Sequence, residues 1–323
     1  MIYTSEPQAW SAQLRQPIGE RILPLPDEVR EFVHQVNMAS GLDAVPVPCT
    51  PDGALLADLR AALAGMPAAV HALVGPLLLG ICVGRNLGSS GVTDIVADAV
   101  DGRILGCIVL LDIDLLEAHT ANSWATWKEN LPFGGPGFSL AATIAEPHDD
   151  TRANALQFLL LHEFGHVVTA GGTFLPRWWE PVPAATFPFL DLSWGVNAQG
   201  RFAPWEGSDF ALRGVVDFYG TNKLDSEAIL TAYSGLEGSD FPSLYGATNP
   251  YDDFAECFAS YVHHELLARP YSLRVDYDGV PQATLDSFWA SPRSHAKRAF
   301  MRALLGEPAA LPVANDAHAL AAA

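Results

Sequence analysis

Apolar residues recur along this chain with two different periods. Behind Asp27-Glu28, a pair of acids suited to a helix N-terminus, Val29, Phe32, Val33 and Val36 follow the helical period and predict a helix ending near Ser40-Gly41. After a link punctuated by Pro46, Pro48 and Pro51, Leu55, Leu56, Leu59 and Leu63 predict a second helix, and a short apolar helix precedes Pro76. From Leu77 the texture changes. Residues 80–85, 92–96 and 104–113 are β-rich runs separated by Gly88-Ser89-Ser90-Gly91 and by Asp101-Gly102, and they predict an antiparallel meander. Residues 115–130 read as a polar helix carrying Trp124 and Trp127. Gly134-Gly135-Pro136-Gly137 then breaks the chain before an edge strand over 138–145.

The most sharply bounded helix is the apolar run 153–170. Asp150 or Thr151 caps its start, Leu156, Leu159, Leu160 and Val167 supply apolar faces, and Gly171-Gly172 stop it. Gly165 inside it costs about 1 kcal/mol relative to Ala, which points to a packing or close-approach reason, such as another backbone passing there. A further helix begins with Asn249 as N-cap and Pro250 as first helical residue, and extends to about Arg269 before Pro270. Between these helices, residues 173–220 hold Trp178, Trp179, Trp194 and Trp205 among many Pro and Gly. So many aromatics cannot be left in water, so this excursion packs on the core or lines a cleft, with packing the preferred reading. No internal repeat is present. The resulting organisation is an N-terminal helical and β-meander region over 1–118, a second region over 119–305, and an Ala- and Pro-rich tail over 306–323 read as disordered.

Composition narrows the function classes. With 323 residues, 49% hydrophobic and 17% charged, the chain can bury the core of one large domain or two smaller ones. Its formal charge of −19, with 18 basic residues spread over the length, disfavours nucleic acid and anionic membranes as partners and favours a neutral or cationic one. Cys49, Cys82, Cys107 and Cys257 have no paired spacing and read as reduced thiols, not zinc ligands. No secretion signal is visible, and the most apolar segment, 68–84, is interrupted by Pro76 and shorter than the roughly 20 residues of a membrane span, so a cytoplasmic location is expected.

The candidate chemistry lies in His162-Glu163-Phe164-Gly165-His166. Residues four apart share a helix face, so two imidazoles can hold one metal ion while Glu163 reaches a water without ligating, the H-E-x-x-H arrangement of zinc hydrolases. The bland alternative is a core helix with two buried histidines. A third ligand is needed for a tight site, and Asp252 and Glu256, four apart on the later helix, are the candidates. The helix dipole and the Asn249 cap also favour an acid at Asp252, so the residues alone leave its role open.

The H-E-F-G-H run, followed by Tyr245 and then by Asp252-Asp253-Phe254-Ala255-Glu256, resembles the anthrax-lethal-factor-like zinc metallopeptidases and their Pro-Pro endopeptidase relatives, whose pattern is H-E-[FL]-[GA]-H, Tyr, then E-x-F-A-E. The likeness covers the two motif helices and the approach to the second, and nothing in residues 1–140. It implies a zincin-like α+β fold in which a small, mostly antiparallel sheet packs on the H-E-x-x-H helix and a second ligand-bearing helix. It further implies Zn2+ bound by His162, His166 and Asp252, with Glu163 as general base and Tyr245 stabilising the oxyanion. Glu256 would hold a ligand histidine by its other ring nitrogen. Two departures stand out. Asp replaces the family's Glu at 252, so either the helix sits closer or Glu256 takes the ligand role, and the gap over 167–251 is longer than usual. The expected reaction is hydrolysis of a peptide or protein substrate, with Tyr251 as substitute if Tyr245 points away. His263 is about three turns beyond Asp252, too far for the same ion. The competing readings are a non-catalytic regulatory or binding protein on the same fold and a zinc hydrolase of a non-peptide amide.

Overall fold

A strand with one wet face alternates apolar and polar residues, whereas residues 104–112 are apolar at nearly every position, so both faces need cover. The computed structural model, which describes residues 1–183, 185–220 and 223–306, shows where that cover comes from. Strands β1 (Ile2–Thr4), β2 (Ile22–Pro24), β3 (Val47–Pro48), β4 (Leu78–Arg85), β5 (Gly91–Asp98) and β6 (Ile104–Asp112) form one sheet in the order β1-β5-β6-β4-β2, with β3 beside β2 on the outer edge of β4. Helices α1 (Pro7–Gln13) and α2 (Asp27–Ala39) lie on one face. Helices α3 (Gly53–Ala64) and α4 (Ala68–Val74) lie on the other, together with the H-E-x-x-H helix. Successive side chains of a strand point to opposite faces, so Cys82, Ile108 and Leu110 meet Trp10, Val29 and Val33, while Ile81, Val109 and Leu111 enter the larger core.

That double cover corrects the expected meander. β4 runs parallel to β6, β5 returns antiparallel along the other edge of β6, and β1 and β2 are parallel to β5 and β4. The sheet is therefore mixed and not mostly antiparallel. A continuous apolar run with no polar alternation is the mark of a strand buried on both faces, which parallel neighbours under helical layers provide. The lead-in before residue 27, which carries no clear periodicity, contributes β1, α1 and β2.

The chain continues through α5 (Ile113–Glu117), α6 (Ala121–Asn130), β7 (Phe133–Gly134), β8 (Phe138–Thr143) and α7 (Arg152–Thr169). The single helix expected over 115–130 is two, because Thr120 and Ser123 form a reciprocal capping box that starts α6 afresh. At α7 the cap is Thr151, whose hydroxyl accepts from the Asn154 N–H, while Asp150 accepts from the backbone of Asn122. Then come α8 (Leu190–Ser193), β9 (Trp194–Val196), β10 (Phe202–Pro204), β11 (Leu224–Asp225), α9 (Ala228–Glu237) and α10 (Pro250–Tyr261). α10 leads into a wider π-helical turn, Val262–Leu266, short of the expected end at Arg269. Strands β12 (Ser272–Tyr277) and β13 (Val280–Asp286) precede α11 (His295–Leu305). β8 is the edge of a three-stranded antiparallel sheet with them, as expected. The tail expectation falls, from residue 307 on, outside the described residues. Among the described residues no single helix is long and apolar enough to cross a membrane.

The molecule is thus a mixed α and β protein with a small sheet, and its centre is the crossing of α7 and α10. At Gly165 a Cβ would stand 2.7 Å from the Ala255 Cα, so a bare backbone is what lets the two helices touch. The Trp-rich excursion packs beside this crossing. The Phe174 and Phe189 rings lie 6.0 and 4.9 Å from Phe254, and the buried Trp194 donates its indole N–H to Asp253 at 2.9 Å. Gly165→Ala is expected to cost about 1 to 3 kcal/mol by overpacking, read as a lowered denaturation midpoint, despite the better helix propensity of Ala. A gain in stability would show that the helices can part at no cost.

Candidate metal centre

On α7, His162 and His166 are one turn apart, and their Nε2 atoms converge to 3.2 Å. The crossing of α10 brings Asp252 Oδ1 to 3.7 Å from His162 Nε2 and 3.5 Å from His166 Nε2. Three lone-pair atoms on separate side chains thus face a common point. Ligand atoms about 2.0 to 2.1 Å from one tetrahedral ion stand roughly 3.4 Å apart, close to the three separations here, and two imidazoles with a carboxylate form a donor set suited to zinc.

The surroundings orient each of the three. Asn249 caps α10 through its side-chain oxygen, which accepts from the N–H groups of Tyr251 and Asp252 at 3.0 Å. Its amide donates to Asp252 Oδ2 at 2.5 Å, and Thr248 Oγ1 donates to the same oxygen at 3.2 Å, leaving Oδ1 to face the histidines. Glu256 lies one turn further on the same face, and its Oε1 is 2.8 Å from His162 Nδ1. The approach is bent relative to the ring N–H, so the contact is electrostatic, and a carboxylate on this side favours a proton on Nδ1 and a lone pair on Nε2. Glu256 therefore contacts the side of His162 turned away from the cluster, and Asp252 is the carboxylate that reaches both Nε2 atoms.

Glu163 points along the cleft beside these groups. Thr93 on β5 donates its hydroxyl to Glu163 Oε2 at 2.7 Å, and a Cβ at Gly91 would stand 2.5 Å from Oε1, so the bare start of β5 makes room for this carboxylate. The Tyr245 ring lies 5.5 Å from that of His162, and its hydroxyl is 2.8 Å from the hydroxyl of Tyr219. Tyr251 packs instead on Trp178 and Phe202. His263 is away from the cluster: its Nε2 donates to the Ile144 carbonyl at 2.8 Å, and burial lowers its pKa to about 4, so it is a neutral core histidine. The thiols of Cys82, Cys107 and Cys257 are buried and free, as expected.

Lys128, Thr93, Ser243 and Tyr219 belong to the site without any motif spacing to mark them. Lys128 on α6 is 2.6 Å from Glu256 Oε1, and Ser243 donates to Oε2 at 2.7 Å. For Lys128 a signal did exist: it stands alone among Trp124, Trp127 and Leu131 on an otherwise apolar helix face.

Charge follows this geometry. Burial raises the Glu256 pKa, but Lys128 and His162 outweigh it and hold the carboxyl well below the usual range. Burial likewise opposes ionisation of Asp252, yet His166, His162 and Asn249 bring it below its ordinary value. Burial lowers His166, and the Asp252 and Glu163 carboxylates more than reverse this, so that it titrates above the ordinary 6.5. A proton on His166 must leave before a metal can bind. Metal affinity at this cluster is therefore expected to weaken as pH falls, with the decline starting above the pH at which a free histidine titrates. A chelator-competition series reads this directly, and a flat profile would contradict it.

Comparison with protein-family models, with curated proteins and with solved structures found no match.

Proposed function

We propose that the protein is a zinc-dependent peptidase of zincin type, in which His162, His166 and Asp252 hold the metal and Glu163 is the general base. One observation carries this: Asp252 Oδ1 lies within 3.5 and 3.7 Å of two Nε2 atoms that are themselves 3.2 Å apart, beside a carboxylate that lines the same cleft. Zinc in a three-ligand site acidifies water to a pKa of about 7 and polarises a carbonyl.

The chain's own groups do the rest. Glu163, steadied by Thr93, takes a proton from the attacking water as it adds to the amide carbonyl. The same carboxyl then returns the proton to the nitrogen, so that the C–N bond breaks to a carboxylic acid and an amine. Burial, then the neighbouring Asp252 and Tyr219, raises the Tyr245 pKa well above 10, so its phenol stays protonated and can donate to the developing oxyanion. Glu256, anchored by Lys128 and Ser243, keeps His162 in the tautomer that offers Nε2. A structural metal site has no need of a free carboxylate beside it, and this favours hydrolysis over a binding role.

The test is zinc analysis with a peptide-mixture digest. About one equivalent of zinc and defined cleavage products are expected, and zinc-loaded protein that cleaves nothing would overturn the proposal. Asp252→Ala is expected to strip the zinc, whereas Glu256→Gln keeps it at roughly 10- to 100-fold lower affinity. The reverse order of losses would move the ligand role to Glu256.

A further inference from the structure

Two cavities meet at His162. The larger, about 850 Å³, is an open cleft, and a second of about 280 Å³ opens beside it; His162, Glu163, Tyr219 and Tyr245 line both. Whole small-molecule sites occupy about 300 to 1,000 Å³, so the cleft is sized for a chain and the side pocket for a single group. The wall of that pocket is one face of α6. Trp124, Trp127, Lys128 and Leu131 follow the i, i+3, i+4, i+7 spacing that puts them on one side of the helix, and Leu159 and Phe218 add to the apolar lining. Two lysines line the pocket: Lys223 is an exposed residue whose ammonium is left to solvent, and Lys128 does not make this an anion site. Its ammonium is 2.6 Å from Glu256 Oε1 and 4.9 Å from the centre of the Tyr245 ring, so an internal carboxylate already takes its charge.

We propose that this pocket selects a large apolar side chain, from Leu to Phe in size, on the substrate residue flanking the cleaved bond, with the α6 face as the specificity determinant. The inference rests on the peptidase reading above. A peptide in the cleft with its amide at the histidines can drop one neighbouring side chain into the pocket, because the two cavities share their walls there. Filling an apolar slot with a well-matched group discriminates by roughly 10- to 200-fold.

Amino-acid hydroxamates with Gly, Ala, Leu and Phe side chains, titrated calorimetrically into zinc-loaded protein, give a readout independent of turnover, and a peptide digest gives the second. Leu and Phe hydroxamates are expected to bind roughly 10- to 200-fold more tightly than Gly, and cleavage sites to carry such residues on one side. Leu131→Trp, which fills the pocket, is expected to erase that advantage and raise KM for Phe-containing peptides. Trp127→Ala, which widens the pocket, is expected to move the optimum to larger groups, and it decides the matter alone if Leu131→Trp fails to fold. Equal affinities across the series, or a preference that neither variant alters, would overturn the pocket assignment while zinc binding and cleavage left the peptidase reading standing. Loss of both zinc binding and cleavage in the wild-type protein would remove the two together.

Discussion

Glu163→Gln is expected to abolish peptide hydrolysis, by roughly 100- to 10,000-fold or more, while zinc content and thermal midpoint stay near those of the wild type. The geometry is what makes the variant informative. Glu163 is buried between Gly91 and Thr93 and is not among the three atoms that converge, so an isosteric amide keeps its volume and can keep the Thr93 hydrogen bond. What it cannot do is accept a proton from water. Kinetics on a cleaved peptide, beside zinc analysis of the same sample, separate the two effects. Retained hydrolysis in Glu163→Gln would remove the general base from the proposal, and loss of zinc would mean that the carboxylate belongs to the metal's own shell.

The largest effect on stability is expected where no chemistry occurs. Asp253, next in sequence to the proposed ligand Asp252, is fully buried, and both of its oxygens are 2.7 Å from Lys297 Nζ on α11. Trp194 donates to the same carboxylate, so the pair joins α10, α11 and the Trp-rich excursion. Removing one member of such a pair leaves an uncompensated charge in the interior, and Lys297→Met is expected to cost about 3 to 5 kcal/mol. That is a large part of the 5 to 15 kcal/mol typical of a folded domain. Lys297→Met with Asp253→Leu is expected to recover most of the loss, since no buried charge is then left alone. Denaturant titration of both variants measures this. A single variant within about 0.5 kcal/mol of the wild type would show that water reaches the pair.

The legible parts of the chain are those whose signals are local. The cap and apolar faces of α7, the Asn249-Pro250 start of α10 and the one-turn spacing of His162 and His166 all lie within a few residues of sequence, where periodicity and capping chemistry act. Gly165 was legible too, as a cost in helix propensity that calls for a packing or close-approach reason, although its partner Ala255 was not. The strand order of the sheet was not legible, for a related reason. Local pattern marks a run as a strand, but strand order depends on what covers each face, and residues 104–112 carried that information only in their lack of polar alternation.

By itself the sequence determined a helix bearing two histidines on one face with a glutamate beside them, because helical geometry converts spacing directly into direction. Only the tertiary structure decided which carboxylate comes within 4 Å of both Nε2 atoms. Asp252 and Glu256 share a face of α10, and the choice between them turns on how closely that helix crosses α7 at Gly165, a distance no periodicity encodes. The same holds for Lys128, Thr93 and Ser243, which come from elements far apart in the chain. Each is an ordinary side chain until folding buries it against a carboxylate, where charge and hydrogen bonding are worth most because water is excluded.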